Sequence, residues 1–170
     1  RGIVEPNLSV WLDLVALGTI ADVVPLDQVN RTFVHHGLKR IREGYCRPGI
    51  SAMLRIAGKH QCRVDAPDLG FKLGPRLNAA GRLKDISIGI QCLLTDDMGT
   101  ALELANYLDE LNRERRSIEE GMQAEALHLL EGLQLGNSDR IPSVICLYKP
   151  NWHEGILGLL ASRIKEKYHR

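Results

Sequence analysis

Leu12-Asp13-Leu14-Val15-Ala16-Leu17-Gly18-Thr19-Ile20-Ala21-Asp22-Val23-Val24-Pro25-Leu26 is an almost unbroken apolar run that delivers a carboxylate near its exit. From Asn7 to about Gly18 the apolar positions are too dense for a surface helix. They fit a buried helix or, less well, a parallel strand. Asp22 lies between Ala21 and Val23, and a charge among so many apolar neighbours is costly to bury without a metal, a cation or hydrogen-bond donors. Asp22 therefore needs a partner. Either it caps a helix or binds backbone N–H groups in the turn before Pro25, or it holds a ligand.

The chain has 170 residues and 44% hydrophobic content, enough for one large domain or parts of two with a packed core. It opens at Arg1 and closes at Arg170 just after a helical pattern, which reads as a segment of something longer. No apolar run reaches the roughly 18 residues of a membrane span, and no signal-peptide pattern is present. Cys46, Cys62, Cys92 and Cys146 are irregularly spaced, without a Cys-x-x-Cys pair. They read as reduced, partly buried thiols of a cytoplasmic protein.

A net charge of +1 hides segregation. Residues 31–63 hold eight Lys or Arg (Arg31, Lys39, Arg40, Arg42, Arg47, Arg55, Lys59, Arg63) against Glu43 alone, whereas 96–133 hold ten acids against Arg113, Arg115 and Arg116. The basic block is either a phosphate-backbone surface or a solvated face paired with the acidic helix.

Residues 30–43 read as an amphipathic helix with Asn30 as cap and Gly44 as stop. Further helices are expected at 48–57, 67–73 and 86–94, the last two flanking a Gly-Pro-Arg-Leu-Asn loop. From Asp96 or Asp97 to Leu133 no Pro intervenes, and Leu104, Leu108, Leu111, Ile118, Met122, Leu129 and Leu133 form a near-heptad stripe. Arg115 and Glu125 interrupt it, which suits a helix bridging two domains better than a coiled-coil dimer. Residues 134–142 are linker-like, Ser143–Tyr148 reads as a buried strand, and a helix runs from about His153 or Glu154 to Lys167.

Three blocks carry a family resemblance: 12–26, Leu73-Gly74-Pro75-Arg76-Leu77-Asn78-Ala79-Ala80-Gly81-Arg82-Leu83, and Trp152-His153-Glu154-Gly155-Ile156-Leu157-Gly158-Leu159-Leu160-Ala161-Ser162-Arg163-Ile164. In that order they resemble the RecJ exonucleases of the DHH phosphoesterase superfamily, and the resemblance covers nearly the whole chain. It implies an α/β fold. Residues 1–95 would end a DHH-type domain, 96–133 form the bridging helix, and 134–170 begin a DHH-associated domain.

The resemblance also implies divalent ions, Mn2+ or Mg2+, held by Asp and His side chains, with Asp22 one ligand. Asp13, inside the helix, is the lesser alternative. The Asp-His-His triplet of the superfamily is absent. Val34-His35-His36 is not it, and those histidines read as surface or phosphate-facing. One carboxylate cannot hold two ions, so this chain alone is expected to be inactive.

In the Gly74–Leu83 loop, Arg76, Asn78 and Arg82 are expected to touch the substrate strand, with the arginines ahead of Asn78. The bland alternative is a tight corner whose arginines pair with Asp65, Asp68 or Asp85. His153 is expected to face the scissile phosphate. Trp152 either stacks a base or, more in keeping with its setting, wedges the domain interface. Asn112 and Arg116 share a helical face where a strand would pass, against plain salt links such as Arg115 with Glu119 and Arg116 with Glu120.

The implied activity is 5′→3′ exonucleolytic hydrolysis of single-stranded DNA in recombination and repair, by a monomer in the cytoplasm with single-strand-binding protein and a helicase as partners. A phosphodiesterase for short oligonucleotides or cyclic dinucleotides, a non-catalytic nucleic-acid scaffold, and a coiled-coil module are the competing readings.

Overall fold

The structure, a computed structural model, describes residues 6–132 and 144–168. Regular structure among them is helical: a 3-10 turn Leu8–Trp11, α1 (Leu12–Ala21), α2 (Gln28–Arg42), α3 (Pro48–Ile56), a 3-10 turn Gln61–Arg63, the short α4 (Ala66–Asp68), a π-helical turn Leu69–Leu73, α5 (Gly74–Leu83), α6 (Ser87–Leu94), α7 (Met98–Gly132) and α8 (Glu154–Tyr168). The strands of the expected α/β architecture are not seen here: none occurs among the described residues. Residues 144–148, most of the expected strand, form no ladder, because a strand exists only by pairing with another and none is described. Ser143, the linker at 134–142 and Leu133 lie outside the described residues. Residues up to Asn112 form one compact unit, and those from Arg113 onward a second.

In the first unit, α1 settles the choice between helix and strand and buries Ala16 and Leu17. Its exit is a tight reversal: the Val23 N–H donates to the Ile20 carbonyl (3.3 Å) and the Val24 N–H to that of Thr19 (3.0 Å). This pairing needs a left-handed residue after the helix, usually Gly. Here Val23 takes it, at φ +55°. A β-branched residue in that region is strained, and Val23 is 85% exposed, so no packing offsets the cost.

The cap of α2 is Asp27, whose Oδ1 accepts from the Asn30 N–H (2.8 Å), rather than Asn30 itself; the Asn30 amide instead donates to the Pro25 carbonyl (2.9 Å). Gly44, left-handed at φ +86°, ends the helix as expected. Val34, Gly37, Leu38 and Ile41 form its buried stripe. Gly37 is the point of closest approach to α1: a Cβ there would lie 2.1 Å from the Leu12 carbonyl oxygen and 2.5 Å from the Ala16 Cβ. Around this pair the core closes with Ile50, Met53 and Leu54 of α3, Leu69 and Leu73 of the π-helical turn, and Leu108 and Leu111 of α7.

Lys59 Nζ lies 2.8 Å from Asp68 Oδ1. Asp68 is 3% exposed and also accepts from the Asp65 N–H (3.3 Å), completing a capping box. Burial pushes the Asp68 carboxyl up, but the Lys59 and Asp65 hydrogen bonds outweigh it and leave the group below its ordinary value. The hydrogen bond to Asp68 holds Lys59 above its own.

The long α7 is capped by Asp97, whose Oδ2 accepts from the Thr100 N–H (2.6 Å). In the second unit it buries Met122, Ala126 and Leu130, and α8 buries Ile156, Leu160 and Ile164. Both stripes repeat every four residues, the spacing of helix ridges that pack into grooves.

Two substitutions test the α1 region in opposite directions. Gly37→Ala should lose about 2–4 kcal/mol of unfolding free energy in urea, because the methyl meets backbone that cannot yield. Val23→Gly should gain about 0.5–1 kcal/mol by releasing the left-handed strain.

The Lys59–Asp68 link sets a pH signature. Asp68, lowered in the fold, contributes stability above its unfolded pKa of about 3.9 and loses it as pH falls further; Lys59, raised, contributes below about 10.4 and loses it as pH rises. The stability gap between wild type and Lys59→Met should therefore be level across neutral pH and close on acidification below about pH 4. A gap that persists at acid pH would show that packing, not charge, holds Lys59.

Candidate functional site

Asp22 follows the last turn of α1, and its N–H donates to the Gly18 carbonyl (3.0 Å). Its side chain is exposed, not buried, which corrects the expectation of a costly interior charge. The reversal at Val23 turns the chain outward there. Among the described residues the Asp22 carboxylate makes no hydrogen bond or ion pair, so it is not a side-chain cap.

The costly buried carboxylate is Asp13, with 0% exposure. Its Oδ1 accepts from the Leu14 N–H (2.9 Å) and its Oδ2 from the Arg47 N–H (2.7 Å). Arg47 in turn donates from Nε to the Leu93 carbonyl (2.9 Å) and from Nη2 to those of Leu94 and Thr95, and it pairs with Asp96 at 3.0 Å. Its guanidinium also lies 5.1 Å from the centre of the Trp11 ring. Asp13 is thus wholly engaged in structure.

Residues 74–83 are a helix and not the expected loop. Pro75 suits the first turn, where its missing N–H is no loss. The small residues serve helix contact: a Cβ on Gly74 would stand 3.2 Å from the Ala21 Cβ, so α5 starts directly against the end of α1. Between α1, α5 and α6 lies a hollow of about 290 Å³, apolar with Leu17, Leu77 and Ile90, and holding Asp22 and Asn78 on its lining.

Of the three polar residues expected on this segment, Asn78 is therefore the one that lines the same hollow as Asp22. Arg76 is drawn away: Nε and Nη2 reach Asp109 Oδ1 at 2.9 and 2.7 Å, and Nη1 reaches the Lys72 carbonyl at 2.6 Å. An arginine and aspartate both 14% exposed make this a structural pair, with Asp109 rather than Asp65, Asp68 or Asp85 as partner. Arg82 is exposed.

His35 and His36 are exposed, with ring centres 5.3 Å apart. No group of three or more His, Cys, Asp or Glu with metal-binding geometry occurs among the described residues. Asp22 supplies a hard oxygen of the kind that divalent ions prefer, but one carboxylate does not complete a site. Burial, and for Cys46 also the Asp13 carboxylate, pushes the Cys46 and Cys92 thiols up to about 11, which suits inert core thiols.

Asn112 is 2% exposed, whereas Arg116 is exposed, so the two do not share a solvent-facing surface as their spacing implies. In the second unit Arg115 pairs with Glu119 at 2.6 Å, the expected salt link, and Arg163 joins the same carboxylate at 3.3 Å. Trp152 is half-buried and donates from Nε1 to Glu125 Oε2 (2.9 Å), tying the start of α8 to α7. His153 Nδ1 accepts from the Gly155 N–H (3.1 Å), so the ring caps α8 and its neutral form carries the proton on Nε2.

No family model matches the chain. Sequence relatives do. The chain is 56% identical over all 170 residues to the single-stranded-DNA-specific exonuclease RecJ of Dickeya dadantii and, to the same degree, to that of Escherichia coli. The Bacillus subtilis protein of the same name is 35% identical over 159 residues. This chain spans 29% of the length of the first two and 20% of the third. Among solved structures, RecJ from Thermus thermophilus in complex with Mg2+ superposes with a TM-score of 0.81 at 35% identity, over 97% of this chain and 25% of that one. An exonuclease RecJ bound to manganese gives the same score and identity over 97% of this chain and 40% of that one. Along its whole length, the chain is similar in sequence and in fold to a segment of the RecJ exonucleases.

Proposed function

We propose that the intact protein is a metal-dependent exonuclease that hydrolyses phosphodiester bonds of single-stranded DNA from the 5′ end, in recombination and DNA repair. The observation that carries this reading is the 56% identity, unbroken across the chain, to proteins named as single-stranded-DNA-specific exonucleases. An exposed carboxylate with no partner among the described residues, at the rim of a hollow shared with Asn78, is the local feature consistent with it.

Residues 1–95 are read as the end of the DHH-type domain, 96–133 as the helix joining two domains, and 134–170 as the start of the DHH-associated domain. Related structures hold Mg2+ or Mn2+, and the same ions are the cofactors proposed for this protein. Asp22 would be one ligand, with the others from outside the chain. A bound metal pair supplies an activated water and holds the leaving oxygen.

The remaining roles fall to this chain's own groups. Asn78, beside Asp22, would orient the strand by hydrogen bonding; Arg82, Arg116 and, from a paired state, Arg76 would meet its phosphates. His153 would present its Nε2 proton to a phosphate oxygen, its ring fixed by the bond from the Gly155 N–H. Asn112, buried, would shape the helix rather than touch the strand. Trp152 would hold α8 in place through Glu125. Single-strand-binding protein and a helicase are the partners proposed, with a monomer in the cytoplasm. No helix among the described residues is long and apolar enough to cross a membrane.

Degradation of 5′-labelled single-stranded DNA by the full-length protein, in Mn2+ or Mg2+, tests this. Asp22→Ala should lower the rate by more than about 100-fold, since even outer-shell partners of a metal are worth about 10–100-fold. Chelation should abolish activity, and duplex should be spared. Full activity in the variant would reduce Asp22 to a turn residue. Strand binding without hydrolysis in wild type would favour a scaffold, and hydrolysis confined to dinucleotides a small-substrate phosphodiesterase.

A further inference from the structure

The basic run of residues 31–63 has no role in the site around Asp22, and the structure sorts its members. Arg31 Nε donates to the Leu26 carbonyl (2.7 Å) and Arg40 Nη2 to that of Tyr45 (2.9 Å), while Arg47 is spent on the end of α6. Lys39 faces Glu43 at 3.8 Å. The three arginines serve the fold, and Lys39 pairs with an acid.

The rest gather around the 3-10 turn Gln61–Arg63. Gln61 pins that turn between two helices: Nε2 donates to the Ile41 carbonyl (2.8 Å), and Oε1 accepts from Ser51 Oγ (3.0 Å). Arg42 Nε donates to the Val64 carbonyl (2.7 Å), which places it beside Arg63. Next to the turn is a hollow of about 420 Å³ lined by Arg55, Lys59 and His60 with Ser51, Gly58 and Gln61. Gly58, left-handed at φ +68°, has nothing within 4 Å of where a Cβ would stand, so backbone is open to a ligand there.

Arg42, Arg55, His60 and Arg63 are exposed, and among the described residues Arg55, His60 and Arg63 make no ion pair. Lys59 is already matched by Asp68.

We propose that this hollow and its rim form a second contact for the phosphate backbone of a nucleic-acid strand, apart from the hollow at Asp22. Guanidinium groups fit phosphate oxygens through paired N–H donors. The lining has no Phe, Tyr or Trp on which a base would stack, so the contact is to backbone, independent of sequence and sensitive to salt. The carbonyl end of α3 points into this region, with the Gly58 and Lys59 N–H groups turned back on the Arg55 and Leu54 carbonyls. That end of a helix opposes an anion. Attraction therefore depends on Arg55 and Arg63, and their loss should show clearly. The inference rests on the protein acting on nucleic acid, but not on the role of Asp22.

The test is binding of the full-length protein to fluorescently labelled oligothymidine, without divalent metal to prevent digestion, followed by anisotropy over a range of KCl. The double variant Arg55→Ala, Arg63→Ala should bind on the order of tenfold more weakly at physiological salt, with the slope of log affinity against log salt smaller by about 1.4, two contacts at about 0.7 each. The double lysine variant should keep the slope. Both side chains are exposed, so thermal melting should be unchanged in either variant. An unaltered isotherm and slope in the alanine variant would overturn the proposal, as would a wild-type protein that binds no strand. Retained hydrolysis in Asp22→Ala would overturn the catalytic reading alone.

Discussion

The first unit depends on one buried contact, that between the Asp13 carboxylate and the Arg47 N–H. An ionised group at zero exposure is tolerable only if its acceptors are filled. Asp13 does this with two backbone N–H groups, one on its own helix and one at the residue that precedes α3. Arg47 extends the link, since its side chain takes up the carbonyls left open at the end of α6 and meets Asp96 just before α7. Two acidic residues and one basic residue thereby link α1, α3, α6 and the start of α7. The Gly37 contact with Leu12 and Ala16 supplies a matching steric constraint on the same helix.

That arrangement explains what the sequence disclosed and what it hid. Helix positions were legible because apolar periodicity, Gly44 and the Pro residues are local signals; α2, α3, α6 and α8 begin and end within about two residues of where those signals place them. The buried charge was not. Asp22 and Asp13 stand in equally apolar company, and only the reversal at Val23, a valine in a position that calls for glycine, sends one outward while the other turns inward. Arg47 was one of eight cations in a basic block, with nothing local to mark it as a structural donor.

The 74–83 segment was misread for a related reason. Its glycines and alanines suit a ligand-binding loop as well as a helix that must lie close to its neighbour, and spacing alone does not separate the two. The contact between Gly74 and Ala21 decides for the helix. The segment at 144–148 has a strand's composition but, among the described residues, no strand beside it, so its pattern has no ladder to express there.

These corrections alter how the site is built. Because α5 is helical and abuts the end of α1, Asn78 is brought to the hollow that Asp22 lines by the packing of two helices, not by a loop. Arg76, which sits nearer the start of α5, is consumed in securing that helix to Asp109 on α7. A carboxylate on an exposed, strained turn and an amide on a braced helix then face one hollow. Strain at Val23 that no contact within the unit repays is of the kind that persists where position matters more than stability. Among the described residues no donor reaches the Asp22 carboxylate, which leaves it open to a ligand.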